Sequence, residues 1–450
     1  MTDLVDLSAL EERVQNLLTA ARKAGADQAD AVAIRSVSLS VDVREGRVEE
    51  GTRSENDDFG LRVFVGRRQA VVSTNDAVRL NPDRLAERAV AMARAAPEDP
   101  FAGLADPGRL AQSVPDLDLL DPTLPGATAL EALARAAEEA ALAVPGVTKS
   151  SGASASAGLG GFVLATSEGF RGAYVASQHS LSTTAIAGEG TAMEQDWEYS
   201  SARHAADLED AAALGRKAAE RAVRRLNPRK VATTRVPVIF DPRVANSLVG
   251  HIASAINGAA IARGTSFLLD KLGTAILPPG TRVIDDPLRR RGLGSRPFDG
   301  EGVAGAPLAV VEDGVLASWL LDSATARELG LATTGHAHRG TGGSPSPSPS
   351  NLYLAAGQAS PRALIADIRD GFYITDLIGM GASIVTGDYS RGASGVWIEN
   401  GELTYPVAEV TIAGNLADMF RALTPADDLE FRYSTNAPTL RVEGLTIAGR

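Results

Sequence analysis

The sequence contains no cysteine among its 450 residues, and only 5% of them are aromatic. The first absence excludes disulfides, thiolate nucleophiles and thiolate metal ligands, and it favours a reducing compartment. The opening residues carry acids and no basic segment followed by an apolar run, so no secretory signal is expected. No stretch approaches about 18 uninterrupted apolar residues, which predicts no membrane span. We therefore expect a cytoplasmic protein with no membrane partner.

Basic residues are fewer than acidic ones, at 44 against 56, so the formal net charge is -12. A nucleic-acid-binding surface needs clustered lysine and arginine to meet the phosphates. The one basic cluster, at residues 221–230, follows a helical pattern and is typical of a helix C-terminus. The charge balance therefore predicts no nucleic-acid partner.

Helical and alternating patterns follow one another in the first half of the chain. Apolar residues of Leu7–Ala24 recur at three- and four-residue spacing, as in an amphipathic helix. Alternating runs at Val37–Val43 and Leu61–Val65 predict half-buried strands, and Asn81-Pro82 marks the start of another helix. This order predicts an antiparallel sheet covered by helices.

The later part of this half is predicted to contain two more helices and two long strands. They are the helices Ala127–Ala143 and Asp207–Leu226 and the strands Gly160–Ser167 and Gly172–Ala185. Asn227-Pro228 ends the last helix, since the residue before proline is restricted to extended backbone. We place the domain boundary there, with an N-terminal α+β domain over residues 1–229 and a second domain over residues 230–450.

The second domain is predicted to be rich in strands. It opens with a buried strand, Val236–Phe240, and continues with short strands separated by glycine, aspartate and proline. Ser344–Ser350 reads as an extended loop, because alternating prolines forbid a helix. The fold class is therefore α+β, with a β-rich C-terminal domain that is sandwich- or barrel-like.

Two segments of this domain carry a resemblance to a known family. Asn246–Ser266 reads as an apolar helix that runs into Gly264-Thr265-Ser266, and Gly387–Leu416 is rich in glycine and strand formers. Together they resemble the TldD/PmbA family, also called modulators of DNA gyrase. In the TldD branch, the resemblance implies, this helix carries an HExxxH zinc motif just before the Gly-Thr-Ser turn.

The zinc motif is absent from this sequence at every position that the resemblance identifies. The two histidine positions fall on Val249 and Ser254, and the glutamate position falls on Gly250, while His251 lies two places from the first. The resemblance also implies a cysteine ligand near the C-terminus, and the chain has no cysteine. The family match therefore implies the PmbA/TldE branch, with no catalytic residue and no metal site in this chain and zinc in a TldD-type partner.

Other candidate residues lie in two glycine-rich segments. His336 and His338 would point the same way in a strand, as in some metal sites, or they belong to a loop near the substrate cavity. Asp388, Tyr389, Ser390 and Arg391 are expected in a glycine-flanked turn, where Ser390 has no base close in sequence to activate it. By family resemblance, all of these except His338 are candidates for contact with a peptide.

The function implied by the resemblance is that of a non-catalytic TldE/PmbA-type subunit. It would complete the chamber of a TldD–TldE metalloprotease complex that cuts unfolded or short peptides. The alternative is a metal-free homodimeric peptide-binding protein without a protease partner, and a third possibility is a hydrolase with an unrecognised site of its own. Copurification with a TldD-type protein distinguishes the first two.

Overall fold

The structure is a computed structural model that describes residues 5–78 and 80–449. The elements of its first half are α1 (Leu7–Lys23), β1 (Gln28–Arg44), β2 (Arg47–Val65), β3 (Arg68–Thr74), α2 (Pro82–Ala95), α3 (Ala127–Leu142), β4 (Val147–Thr166), β5 (Arg171–Ala187), β6 (Glu194–Ala202) and α4 (Ala211–Arg224). Short 3-10 helices lie at Pro107–Arg109, Gly190–Ala192 and Ala205–Asp207. Within the described residues, no helix is long and apolar enough to cross a membrane.

The first half is a single antiparallel sheet in the order β3-β2-β1-β4-β5-β6, curved into a half-barrel. Helices α1 and α2 pack on one end of it, and α3 and α4 pack on the other. This confirms the predicted helix-covered antiparallel sheet. Strand β3 pairs with β2 only from Phe59 to Val65, so residues 47–58 of β2 have β1 on one side and no strand on the other among the described residues.

Local sequence signals explain where the first helices begin and end. The side chain of Asp6 accepts a hydrogen bond from the backbone N–H of Ala9, and that of Asn81 accepts one from Arg84. These contacts satisfy N–H groups that a helix leaves free in its first turn. Gly25, at a φ of +95°, follows α1 in a conformation that suits glycine.

Helices α3 and α4 approach each other closely because small residues line their contact. A Cβ atom on Gly215 of α4 would lie 2.0 Å from the carbonyl oxygen of Ala137 in α3. Alanines of both helices complete the buried contact with the sheet. Glycine at position 215 therefore sets the distance between the two helices.

The elements of the second half are β7 (Thr234–Phe240), α5 (Pro242–Ala255), α6 (Gly258–Ala262), β8 (Val283–Asp285), β9 (Leu308–Glu312), β10 (Val315–Leu316), α7 (Ser323–Glu328), β11 (Ala337–His338), β12 (Ser346–Pro347), β13 (Leu352–Leu354), α8 (Pro361–Ile365), β14 (Asp370–Ile378), β15 (Asp388–Glu399), β16 (Glu402–Asn415), α9 (Leu416–Arg421), β17 (Leu423–Pro425), β18 (Thr435–Asn436) and β19 (Leu440–Ala448). The predicted β-rich domain is confirmed.

Five of these strands form a closed barrel. The ring runs β16-β15-β14-β7-β19, and β19 pairs back to β16 through contacts such as Ile412 with Ile447. Of the two architectures predicted, the structure thus has the barrel. The apolar face of α5 packs into the same core as the barrel strands, with Leu248 and Ile252 buried beside Phe372.

The structure differs from the predicted elements at several points. The helix predicted at Asp207–Leu226 begins only at Ala211, because Asp210 caps it by accepting a hydrogen bond from Ala213. Strand β6 was not predicted. The single helix predicted over Asn246–Ser266 is two helices, since Asn257 caps the second by accepting a hydrogen bond from Ala259. The predicted boundary at residues 229 and 230 falls between α4 and β7 and remains a prediction.

The two halves of the chain share a buried contact. The ring of Phe298 lies 5.3 Å from that of Phe170 and 5.6 Å from that of Tyr174, edge to face in both cases. Near it, the carboxylate of Asp30 on β1 accepts hydrogen bonds from Arg62 on β2 and from Arg339, which follows β11. Aromatic packing and charge pairing therefore hold the N-terminal sheet against the C-terminal half.

Candidate functional site

The helix α5 starts and stops at residues that its sequence specifies. Asp241 caps it, Pro242 occupies its first turn, and the buried hydroxyl of Ser266 donates to the carbonyl of Ala255 at its end. Gly264, at a φ of +65°, forms the predicted Gly-Thr-Ser turn after α6. The helix is thus fixed at both ends against the barrel.

The positions that carry the zinc motif in the TldD branch do not lie on one face of α5. Val249 is 1% exposed and belongs to the apolar core, whereas Ser254 is exposed and donates to the carbonyl of Gly250 at 3.0 Å. A Cβ atom on Gly250 would meet no atom within 4 Å. Valine and glycine side chains offer zinc no donor atom, and among the described residues no group of three or more histidine, cysteine, aspartate or glutamate side chains could hold a metal. The residues at these three positions do not fit a zinc ion.

His251 instead meets two residues of β15. Its ring lies 5.9 Å from that of Tyr389, edge to face, and the guanidinium of Arg391 is close to both side chains. Tyr389 and Arg391 share a face of β15 because side chains alternate along a strand. These three residues, which we call the His251 cluster, bring the candidate helix and the candidate segment of the sequence together.

The environment of the His251 cluster fixes its protonation. Burial lowers the pKa of His251 and the positive charge of Arg391 lowers it further, so the imidazole is neutral at pH 7. Burial raises the pKa of Tyr389 to about 12, although Arg391 opposes part of that rise. The hydroxyl of Tyr389 therefore keeps its proton at neutral pH, without meeting Arg391 in good hydrogen-bond geometry.

Asp388 and Ser390 are exposed beside this cluster. The carboxylate of Asp388 accepts a hydrogen bond of 2.7 Å from the hydroxyl of Thr386, and the backbone N–H of Ser390 donates to Gly381. Asp388–Arg391 begin strand β15, so the turn expected there is limited to the residues before them. Gly387, at a φ of +81°, makes that turn, whereas Gly392 lies within the strand.

The connection from β14 to β15, residues 379–387, presents apolar side chains to solvent. Met380 is 95% exposed and Val385 is 57% exposed, and Ile378 at the end of β14 is 61% exposed. A bridge between Ala382 and Tyr389 holds this segment, the 379–387 loop, against the start of β15. The loop therefore borders the His251 cluster with an apolar rim.

The histidine pair of the other glycine-rich segment is split by the fold. His336 is completely buried, with Nε2 3.2 Å from a carboxylate oxygen of Asp285 and Nδ1 in contact with Thr334. His338 is exposed on β11. The two side chains thus have different environments, and contact of His336 with a peptide remains a prediction.

Two further histidines are paired inside the N-terminal half. Nε2 of His179 lies 3.2 Å from Asp121, and Nε2 of His204 lies 3.3 Å from Asp118. No local sequence pattern indicates these pairs, because the partners are more than 50 residues apart in the chain. The contact of His251 with Tyr389 has no local signal either, although both residues lie in the two segments that carry the family resemblance.

Three family domains match this chain in order. They are described as PmbA/TldA metallopeptidase domain 1 at residues 29–93, central domain at residues 118–226 and C-terminal domain at residues 233–449. Together with the full-length relatives below, they show that the chain belongs to the PmbA/TldD family of metallopeptidase-like proteins.

Its relatives carry the name PmbA. The chain is 38% identical to Metalloprotease PmbA of Escherichia coli O157:H7, over 98% of this chain and 96% of that protein. It is equally similar, over the same shares, to the Metalloprotease PmbA homolog of Haemophilus influenzae.

Solved structures share the whole fold. The crystal structure of a Bacteroides thetaiotaomicron protein named for modulation of DNA gyrase matches with a TM-score of 0.89 and 28% identity, over 98% of this chain and 99% of that one. TldE from Thermococcus kodakarensis matches with a TM-score of 0.84 and 19% identity, over 97% and 99%, which shows a common fold.

Proposed function

We propose that this chain is the non-catalytic, TldE/PmbA-type subunit of a two-component metallopeptidase. A TldD-type partner supplies the zinc, and the complex degrades or processes unfolded peptides in the cytoplasm. The observation that carries this proposal is the set of residues at the motif positions of α5, where Val249 is buried in the core and Gly250 offers no side chain. Catalytic zinc needs about three protein ligands and an activated water, and these positions supply neither ligands nor a base.

The protein's own part is to complete the peptide chamber and hold the substrate. Asp388 and Ser390 are exposed at the start of β15, and Arg391 lies partly exposed beside them. These groups can pair with the main chain or the ends of an extended peptide, which suits substrates of varied sequence. The lack of cysteine throughout the chain supports a reducing compartment for this work.

The test measures complex formation, metal content and peptidase activity together. The chain is purified alone, with its TldD-type partner, and with a partner variant that lacks its motif histidines. An unstructured peptide is then offered to each sample with and without a chelator. We expect about one zinc per complex, carried by the partner, and chelator-sensitive cleavage in the complex with the intact partner.

Two outcomes would contradict the proposal. Zinc and cleavage in the isolated chain would mean that it has a metal site of its own. A chain that forms a homodimer, binds peptide and ignores the TldD-type protein would instead support the metal-free peptide-binding protein.

A further inference from the structure

Three buried polar atoms of the His251 cluster have no hydrogen-bond partner among the described residues. They are the hydroxyl of Tyr389, Nε2 of His251 and Nε of Arg391. An unpartnered buried polar group costs roughly 1–3 kcal/mol, so proteins rarely leave even one without a reason. Three such groups on two elements that contact each other indicate a binding site.

The chemistry of the three groups selects an anion. Arg391 offers an N–H group with a full positive charge, and the protonated Tyr389 offers an O–H group. Neutral His251 can donate from Nε2 as well, and the nearby guanidinium would repel a cation. An acceptor with two oxygens and a negative charge, such as a carboxylate, satisfies all three donors.

The surroundings of the cluster indicate what the carboxylate belongs to. The 379–387 loop adds the exposed side chains of Met380 and Val385 next to the cluster. In α5, Gly250 directly precedes His251, and a Cβ atom at Gly250 would meet no atom within 4 Å. A ligand with its carboxylate among the donors would therefore extend along an apolar rim and a smooth stretch of helix.

We propose that His251, Tyr389 and Arg391 bind the C-terminal carboxylate of a peptide with apolar end residues. The positive charge of the cluster favours a carboxylate, and the apolar rim favours apolar side chains on the last residues of the peptide. The source of the peptide, as a substrate or product of the complex, rests on the function proposed above. The binding itself is a property of the isolated chain.

The experiment compares two forms of one peptide by isothermal titration calorimetry on the isolated full chain. The probes are N-acetyl-Ala-Leu-Leu with a free C-terminus and the same peptide with an amidated C-terminus. We expect the free acid to bind about tenfold or more tightly than the amide, because a charge-assisted hydrogen bond contributes that much. Acetate alone should bind more weakly than the peptide acid, since it cannot reach the apolar rim.

Variants test whether the His251 cluster is responsible for binding the peptide acid. Arg391→Gln should weaken the free acid about tenfold or more, and Tyr389→Phe should weaken it several-fold while keeping the ring packed against His251. Arg369→Gln is the matched control, because its side chain is 90% exposed and belongs to neither the His251 cluster nor the 379–387 loop, so the affinity for the free acid should not change. Thermal unfolding of each variant verifies that it is folded. If Arg391→Gln does not fold, Tyr389→Phe alone tests the site.

The proposal is overturned by equal affinity for acid and amide, by no binding of either, or by affinities that Tyr389→Phe leaves unchanged. Acetate binding as tightly as the peptide acid would overturn the assignment to a peptide. These results are independent of the partner. Active complexes with a chain that binds no free acid would refute this site alone, whereas acid binding without a partner complex would refute the two-component function alone.

Discussion

Arg339 donates a hydrogen bond of 2.7 Å from Nη2 to Oδ1 of Asp30, although 309 residues separate the two in the chain. Both side chains are buried, at 0% and 4% exposure. Asp30 also accepts a hydrogen bond of 2.7 Å from Nε of Arg62, on the neighbouring strand. One carboxylate thus accepts hydrogen bonds from two buried guanidinium groups where the halves of the molecule meet.

Replacing Asp30 with alanine should destabilise the fold by about 3–5 kcal/mol, because both buried arginines would lose the carboxylate to which they donate hydrogen bonds. Urea unfolding measures the loss. Glu312→Ala is the control, since Glu312 pairs with Arg282 at 2.9 Å with about half of each side chain exposed. That variant should change the unfolding free energy by less than about 1 kcal/mol. Equal effects would mean that the Asp30 network is not a structural link.

Glu301 should make the stability depend on pH. Burial raises its pKa to about 7, and the nearby Asp299 carboxylate adds to the rise while Arg62 opposes it. The folded state therefore binds a proton that the unfolded state has released above about pH 4.5. The stabilising contribution is complete below that pH and is lost as the pH rises through about 7.

Glu301→Gln should remove this dependence, so that the variant loses less unfolding free energy than the parent between pH 5 and pH 8. The expected difference is on the order of 2 kcal/mol. The glutamine oxygen can still accept the hydrogen bond that Glu301 receives from the N–H of Ser323 at 2.8 Å. Glu312→Gln should retain the parent's profile, and parallel profiles for all three proteins would contradict the assignment.

Two glycine-to-alanine replacements in helices should change the free energy of unfolding in opposite directions. Gly215→Ala should destabilise by about 1–3 kcal/mol, because its Cβ would collide with the backbone of α3. Gly250→Ala should stabilise by about 0.5–1 kcal/mol, since it lies inside α5 with open space around it. Urea midpoints of the two variants report both shifts. A loss at Gly250 would mean that its open surface is occupied in solution.

The turn before β15 should require its glycine. Gly387→Ala should destabilise by about 1–2 kcal/mol, since its φ is +81° and its Cβ would approach the side chain of Asn415. Gly392→Ala serves as the control within β15, where the closest atom is Cβ of Ile378 at 3.3 Å and φ is not positive. Thermal unfolding should rank Gly392→Ala closer to the parent, and the reverse order would contradict this account of the turn.

Local patterns predicted much of the fold, and long-range pairing decided the rest. The cap at Asn81 and the alternation around Val37–Val43 act over a few residues, so the sequence displays them directly. Strand β6 was missed because its charged residues look exposed. Asp196 and Glu198 are in fact buried, paired with arginines such as Arg243 and Arg432.

In the candidate site too, some features could be predicted from local sequence and others depend on long-range contacts. The family resemblance identified both α5 and the start of β15 as important, and residue types alone excluded zinc ligands at Val249 and Gly250. The contact between His251 and Tyr389 joins residues 138 positions apart, and the closed barrel creates it. No periodicity in either segment reports such a contact.

The outer edge of β2, over residues 47–58, has a consequence for behaviour at high concentration. Backbone groups along a sheet edge can recruit a strand from another molecule and start aggregation. Here the segment carries five acids, Glu49, Glu50, Glu55, Asp57 and Asp58, against two arginines, Arg47 and Arg53. Two copies brought edge to edge would each bring this excess of negative charge, which disfavours pairing between the two edges.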